Sequence, residues 1–570
     1  MVKSQYISHS HKIWGEAGWG GSLLAGLLVG GYCLALRRYG LELADEGTLL
    51  AQIDRVAQGQ VPYRDFHTGY GPALFYTNAG LFAAMGASLA TVRHGLVVIQ
   101  ALRAALLVRL AGRIGPPGWW VASAVVLIAF FLPIAPGICA PLFVPYASWY
   151  ADALGLLALW QLAKSPSRGG YVVVGLLWGA AFAFKQNTGL LGVGAAAVAI
   201  LLVSKGGGGR LLGGLLGLAL VAGGLALLRA HLDPQLAVVM LVPLVILGVA
   251  TVRARSGTTT MADLVALAAG FAAVAIPVVG IMAFAAGMSP VATDLLQIGT
   301  DTALVYYVPY PALGSLRDAF AGSPGALRAL RQVVDLSWFA IFPLVHLGAA
   351  VLLMRRRVAT RAGIVVASAA IVGYLQLYPR MDGWHLFAIA PASLATCGIL
   401  LATCGPVLRR TVVAALVLAS FGRALPVVPV IGALAAGSDQ PPSVARVDLR
   451  WDLLGPEELR RLPDVIQAVQ GRGSVVGFPA LGIINFAIDA PSPLRHDYFF
   501  PGRPTAAEED VIAAELRVHP PSTVVLLDAP TGFVLDAFAA HLPVVVALRD
   551  RFVVEREIGP YRILVPRGGS

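Results

Sequence analysis

The chain has 570 residues, of which 57% are hydrophobic and 13% charged, with a net charge of +11 and a mean hydropathy of +0.75. A soluble globular protein carries roughly 25% charged residues. This balance therefore excludes an ordinary soluble enzyme, and apolar runs of about 20 residues, long enough to span a bilayer as helices, predict a polytopic α-helical membrane protein.

The basic residues lie in short clusters between apolar runs, the mark of cytoplasmic loops rather than of a nucleic-acid surface. The first apolar run, 20–36, ends in LALRRYG without small residues at a cleavage site and reads as a retained anchor. Cys33, Cys139, Cys397 and Cys404 form no CxxC pair, so neither a disulfide framework nor a zinc site is readable. Further runs follow at 91–112, 118–135, 149–164, 170–185, 188–204, 210–229, 235–252, 262–286, 336–354, 362–378, 385–404 and 410–430, for about thirteen spans in all.

With the N-terminus (Lys3, Lys12) inside, the loops after even-numbered spans hold Arg113, Lys164 with Arg168, Lys205 with Arg210, Arg253 with Arg255, MRRRVATR at 354–361, and Arg409 with Arg410. All are short and basic, the repeated positive-inside pattern. The run of glycines at 206–209 lacks the spaced Lys-Ser/Thr of a phosphate-binding loop and reads as a connector. The polar stretches 37–90, 133–152, 184–187, 229–235, 287–335 and 378–385 then share the outer side with the tail. In that tail a helical pattern (EELRRLPDVIQAVQ), a strand (GSVVGFP), a second helix (AEEDVIAAELR) and a second strand (STVVLLDAP) suggest a small α/β domain. The expected organisation is a transmembrane domain over 1–434 and an outer domain over 435–570.

The first outer loop is the richest in charge. LADEGTLLAQIDRVAQGQ places Leu43, Leu49, Leu50, Ile53 and Val56 at helical spacing, which predicts an amphipathic helix lying along the interface. Asp45 and Glu46 fall in its first turn, where the helix dipole favours carboxylates. A second cluster, VPYRDFHTGYGP, carries Arg64, Asp65, His67 and Tyr70 on a backbone shaped by Gly69, Gly71 and Pro72, and ALFYTNAGLFAAMG reads as a further apolar helix. Elsewhere on this side, Asp152 reads as a second carboxylate or as a helix-start Asp. Lys185 in FKQN, with Gln186 and Asn187, reads as a phosphate ligand or as a snorkelling lysine. YPRMDGWHL groups Arg380, Asp382 and His385. The long outer loop holds Asp294 and Asp301, and its Tyr306, Tyr307 and Tyr310 in LVYYVPYPAL read as lining a sugar or lipid groove or as interface anchors. His94 reads as structural, and His346 and Arg423 receive no role.

The series DEG, AQ, GQVPYRDF and GYGPALFY resembles the first periplasmic loop of glycosyltransferase family 39-like proteins of the GT-C superfamily, which includes protein O-mannosyltransferases and lipid A aminoarabinose transferases. The resemblance implies transfer of a sugar from a polyprenyl-phosphate donor to a lipid, glycan or protein acceptor at the outer face of a bacterial inner membrane. It implies Asp45 as general base, with Glu46 positioning the acceptor. Arg64, Lys185 and Arg380 become phosphate ligands, and Asp65, His67, Tyr70, Asp152, Gln186, Asn187, Asp382 and His385 become further substrate contacts. Some members of the superfamily use a divalent metal, for which Asp45, Glu46, Asp152 and His385 are the candidate ligands. Two rival readings are a transporter or flippase of lipid-linked sugars and a non-catalytic polysaccharide-assembly partner.

Overall fold

The computed structural model describes residues 18–116, 118–130, 141–204, 210–254, 258–296, 307–311, 326–358, 360–424, 427–436, 443–500, 502–528 and 541–567. Asp301, Tyr306, Cys139, Lys205, Arg255, the 206–209 connector and the Arg423 side chain lie outside them.

Every predicted span is a helix: α1 (Trp19–Leu36), α4 (Leu89–Ile114), α5 (Trp119–Phe130), α6 (Ala147–Ala163), α7 (Arg168–Phe184), α8 (Gln186–Val203), α9 (Leu211–Leu228), α10 (Pro234–Arg253), α11 (Thr258–Ala286), α12 (Ala326–Met354), α13 (Arg361–Gly373), α14 (Gly383–Thr403) and α15 (Pro406–Ala424). Eight of these are long and apolar enough to cross a membrane: α1, α4, α8 to α12 and α14. Their outer faces leave Leu27, Leu211, Leu218 and Phe284 uncovered by protein. Such an apolar surface is stable only against lipid, so the chain is a multi-pass membrane protein. Helices α7 and α11 meet through glycine. A Cβ on Gly175 would lie 2.1 Å from Leu267 O, and one on Gly270 would lie 2.1 Å from Val172 O. Small residues of this kind let membrane helices approach backbone to backbone.

Between α1 and α4 the first outer loop forms α2 (Asp45–Ala57) and α3 (Pro72–Met85), as the spacing predicts. However, α2 does not lie on lipid as an interfacial helix. Nearly its whole circumference is buried, including Gln52, Asp54 and Arg55, because the C-terminal region covers it.

That region holds α16 (Val428–Ala435), a short ladder of β1 (Ser443–Val444) with β2 (Val447–Asp448), and helices α17 (Glu457–Val469), α18 (Gly482–Ile488), α19 (Ala506–Val518) and α20 (Leu542–Arg551). Its sheet contains β3 (Val475–Phe478), β4 (Thr523–Leu527), β5 (Phe552–Ile558) and β6 (Tyr561–Pro566), in the order β3-β4-β6-β5. Only β3 and β4 run parallel, and a terminal antiparallel hairpin completes the sheet.

The boundary expected near 435 marks a change of composition, but the two parts pack into each other. Arg55 Nη1 sits 2.7 Å from Asp497 Oδ1 with both side chains almost fully buried. It also donates to Leu494 O, while Nη2 donates to Asp65 O. Arg446 bridges Asp54 and Asp489, and Arg38 pairs with Asp448.

Helices α2 and α18 cross where both carry glycine. A Cβ on Gly47 would lie 2.9 Å from Ile483 Cβ, and one on Gly482 would lie 2.9 Å from Gly47 O. Gly47→Ala is therefore expected to force these helices apart and cost roughly 1–3 kcal/mol, the usual penalty of overpacking. Gly80→Ala, on α3 where an added Cβ meets nothing within 4 Å, should melt like the parent. Thermal unfolding of the purified chain separates them, and equal melting of both variants would show that the crossing is not tight.

Candidate active site

At the border between the helical bundle and the C-terminal region lies a cavity of about 450 Å³. It takes residues from the first loop, from the ends of α6, α8 and α14, from the outer segment at 293–296, and from the C-terminal region. Of the residues singled out in the sequence, it gathers Asp45, His67, Tyr70, Lys185, Gln186, Asn187, Asp294, Arg380, Asp382 and His385.

The loop motif works as a local knot. Tyr63 and Phe66 of PYRDF are fully buried, Tyr63 N donates to Phe66 O, and Tyr63 Oη donates to Tyr70 O. The turn that follows is pressed against α7. Gly71 N donates to Phe184 O, and a Cβ there would lie 2.1 Å from Ala183 O, so no larger residue fits. Gln186 Nε2 donates to Gly69 O, which ties the loop to the start of α8. His67 is thereby presented to the cavity, with Nδ1 3.2 Å from Asp294 Oδ1 and its ring stacked on His496 at 5.0 Å.

Asp45 begins α2 at the cavity wall. Its Oδ2 accepts a hydrogen bond from the Tyr146 hydroxyl, and its backbone N–H donates to Glu42 Oε2. Burial raises the Asp45 carboxyl above the ordinary carboxylate range. The Tyr146 hydrogen bond and the nearby Arg380 and His385 charges oppose that rise without cancelling it. Burial, with Asp45 alongside, pushes Glu42 up to about 8.

Opposite stands a linear group. Asp382 caps α14 by accepting from His385 N at 3.0 Å, and the same oxygen lies 2.9 Å from His385 Nδ1. Its other oxygen lies 3.3 Å from Arg380 Nε. Burial alone would raise Asp382, but His385 and Arg380 outweigh it and hold it below the usual carboxylate range. Lys185, in the break between α7 and α8, donates to Ser148 Oγ at 2.7 Å. Withdrawal from solvent lowers its ammonium to about 8, despite the opposing pull of Asp382.

Four expected residues are not at this cavity. Glu46 points away, into a two-point ion pair with Arg93 at 2.9 and 2.8 Å in which both partners are essentially inaccessible. Arg93 also donates to Arg37 O and Gly40 O, so this pair braces the end of α1 against α4. Arg64 and Asp65 pair with each other on the exterior at 2.9 and 2.8 Å, and Asp65 also accepts from Val61 N. Their charges close the turn. Asp152 lies in a narrower adjoining slot and accepts from Arg103 Nε at 2.7 Å. With Glu46 and Asp152 thus engaged, the four residues expected to hold a divalent metal are not assembled. Among the described residues no group of three or more His, Cys, Asp or Glu side chains is placed to hold one.

The cavity also contains residues that the sequence did not single out: Gln52, Tyr146, Ser148, Trp149, Gln376, Tyr378, Trp384, Tyr498 and Arg503. Tyr146 carried no signal of its own within its apolar stretch. Tyr498 and Arg503 fell inside RHDYFFPGR, a run whose density of charge and aromatics was the available clue.

No protein-family model matches the chain, and no curated protein matches its sequence. Among solved structures it is similar to ArnT from Cupriavidus metallidurans in the apo state, at 13% identity and a TM-score of 0.36, covering 96% of this chain and 98% of that one. The same protein bound to undecaprenyl phosphate gives 13% and 0.33, with the same coverage. The Archaeoglobus fulgidus oligosaccharyltransferase in the apo form gives 11% and 0.43, covering 93% of this chain and 72% of that one.

Proposed function

We propose that the chain is a GT-C-type glycosyltransferase, moving a sugar from a polyprenyl-phosphate donor to an acceptor on the extracytoplasmic side of a bacterial inner membrane, with its N-terminus cytoplasmic. The observation that carries this reading is the shared cavity at the edge of the bundle, where Asp45 faces Lys185, Arg380 and His385. A carboxylate with a raised pKa is suited to take a proton near neutral pH. Fixed cations beside it are suited to hold a phosphate as its charge grows.

In the step this supports, Asp45 removes the proton of an acceptor hydroxyl whose oxygen attacks the anomeric carbon. The bond from that carbon to the phosphate oxygen breaks, and the electron pair leaves on the lipid phosphate. A single displacement of this kind inverts the anomeric centre. Tyr146 occupies one oxygen of Asp45 and so aims the other. Lys185 and Arg380 hold the departing phosphate, with Asp382 fixing Arg380 and His385. A transporter would place such a site near mid-membrane, whereas these residues stand at helix ends and in loops.

The test is binding of undecaprenyl phosphate to the full chain in nanodiscs. Lys185→Gln and Arg380→Gln should each weaken it by roughly tenfold or more, as expected for losing one charge-assisted contact. Because the Lys185 ammonium is charged only below about 8, affinity should fall as pH rises through that value, and Lys185→Gln should flatten the fall. Unchanged affinity in both variants would overturn the phosphate site.

A further inference from the structure

One wall of the cavity comes from a strap of the C-terminal region, described over 494–500 and 502–503. It is held on every side. Arg55 binds Leu494 O and Asp497, and Gln52 reaches the other Asp497 oxygen. Arg495 binds Tyr63 O and Asp294, while His67 N donates to Arg495 O. Phe499 N donates to Pro479 O, and Phe500 and Arg503 exchange backbone hydrogen bonds at 2.7 Å in both directions, closing a tight turn. Two side chains of this strap line the cavity, Tyr498 and Arg503.

The other charged side chains around the cavity are engaged by neighbours. Asp45 is bound by Tyr146, Asp382 by Arg380 and His385, and Asp294 by Arg495 and His67. Among the described residues, Arg503 has no carboxylate within ion-pairing distance, and Lys185 donates to a hydroxyl alone. Thus, among the described residues, the C-terminal wall of the cavity carries a guanidinium that no carboxylate pairs, while Lys185 on the bundle side feels the Asp382 charge without forming an ion pair with it. A half-buried guanidinium without a carboxylate partner is a ready fork for a carboxylate or phosphate.

We infer that Arg503, with Tyr498 beside it, is a specificity-determining contact for a second anionic group, carried by the acceptor or by the transferred sugar and distinct from the lipid phosphate. The inference rests on the glycosyl-transfer reading for its substrates. Its site is nonetheless defined by the strap alone. Backbone hydrogen bonds at Leu494, Arg495, Phe499, Phe500 and Arg503 hold the strap and bring Arg503 to the cavity, where its charge suits selection of substrates that carry an anion.

The test uses the full chain in nanodiscs saturated with undecaprenyl phosphate, titrated with inorganic phosphate, glucuronate or glucose. The readouts are the fluorescence of the cavity tryptophans and protection of Arg503 from phenylglyoxal, located by mass spectrometry. Phosphate or glucuronate should protect Arg503 and glucose should not. Protection by phosphate alone identifies a phosphorylated group, and protection by glucuronate an acidic sugar. Arg503→Gln should weaken the anion response at least tenfold while undecaprenyl phosphate affinity stays within twofold, and Arg503→Lys should keep part of the response. Equal protection by glucose, or an unchanged anion response in Arg503→Gln, would overturn the inference. So would a loss of lipid-phosphate affinity in Arg503→Gln as large as that in Lys185→Gln, because Arg503 would then belong to the first phosphate. If the lipid phosphate fails to bind at all while anions still protect Arg503, the glycosyl-transfer reading fails and the anion site stands.

Discussion

Asp45→Asn is expected to reduce sugar transfer by roughly 10²–10⁴-fold, the usual contribution of a positioned general base. Asparagine keeps the size of the side chain and can still bond the Tyr146 hydroxyl, so folding and undecaprenyl phosphate binding should persist. The loss should fall on kcat rather than on donor affinity. The pH profile provides a second reading of the same residue. A base works only when deprotonated, and burial raises the Asp45 carboxyl above its ordinary value. Activity should therefore decline on acidification above the normal carboxylate range. A folded, lipid-binding Asp45→Asn chain with parental kcat would remove Asp45 from the role.

The second large effect concerns the join between the first loop and the C-terminal region. Asp497→Ala leaves the Arg55 guanidinium buried without its counter-charge. Breaking a buried pair by removing one partner costs about 3–5 kcal/mol. Arg55 keeps the carbonyls of Leu494 and Asp65 and the side chain of Gln60 as acceptors, which places the expected loss near the lower end. Replacing both charges, as Arg55→Met with Asp497→Leu, should recover much of the stability, because the cost lies in the orphaned charge rather than in the missing attraction. Unfolding of the purified variants in detergent measures both. An Asp497→Ala chain as stable as the parent would show that the pair does not hold the two parts together.

What was legible in the sequence was what depends on local pattern. Apolar run length located each membrane helix, and helical spacing located α2, α3, α17 and α19. Clusters near the ends of runs pointed to Lys185, Arg380, Asp382 and His385. What was not legible depends on distant partners. Glu46 sits next to Asp45 in sequence, yet successive helical residues face different directions, and its partner Arg93 lies 47 positions away. Nothing in the surroundings of either residue signals the pair. The PYRDF motif was legible as important, but its charges face outward and its aromatic rings carry the packing. Likewise the burial of α2 follows from residues 392 and 442 positions downstream, so an amphipathic pattern that ordinarily means lipid here meant protein.

The strap at 494–503 also bears on how such a chain can change over generations. A tail that merely hung from the last span would be a detachable part, free to be lost, traded or replaced without touching the reaction. Here the tail supplies two side chains to the cavity and buries the helix that bears Asp45. An exchange of tails between related chains would therefore alter what is accepted and how firmly the proposed base is held, both in one event. Inheritance of the two parts should then be joint, and a mutation at Tyr498 or Arg503 counts as a change to the cavity itself.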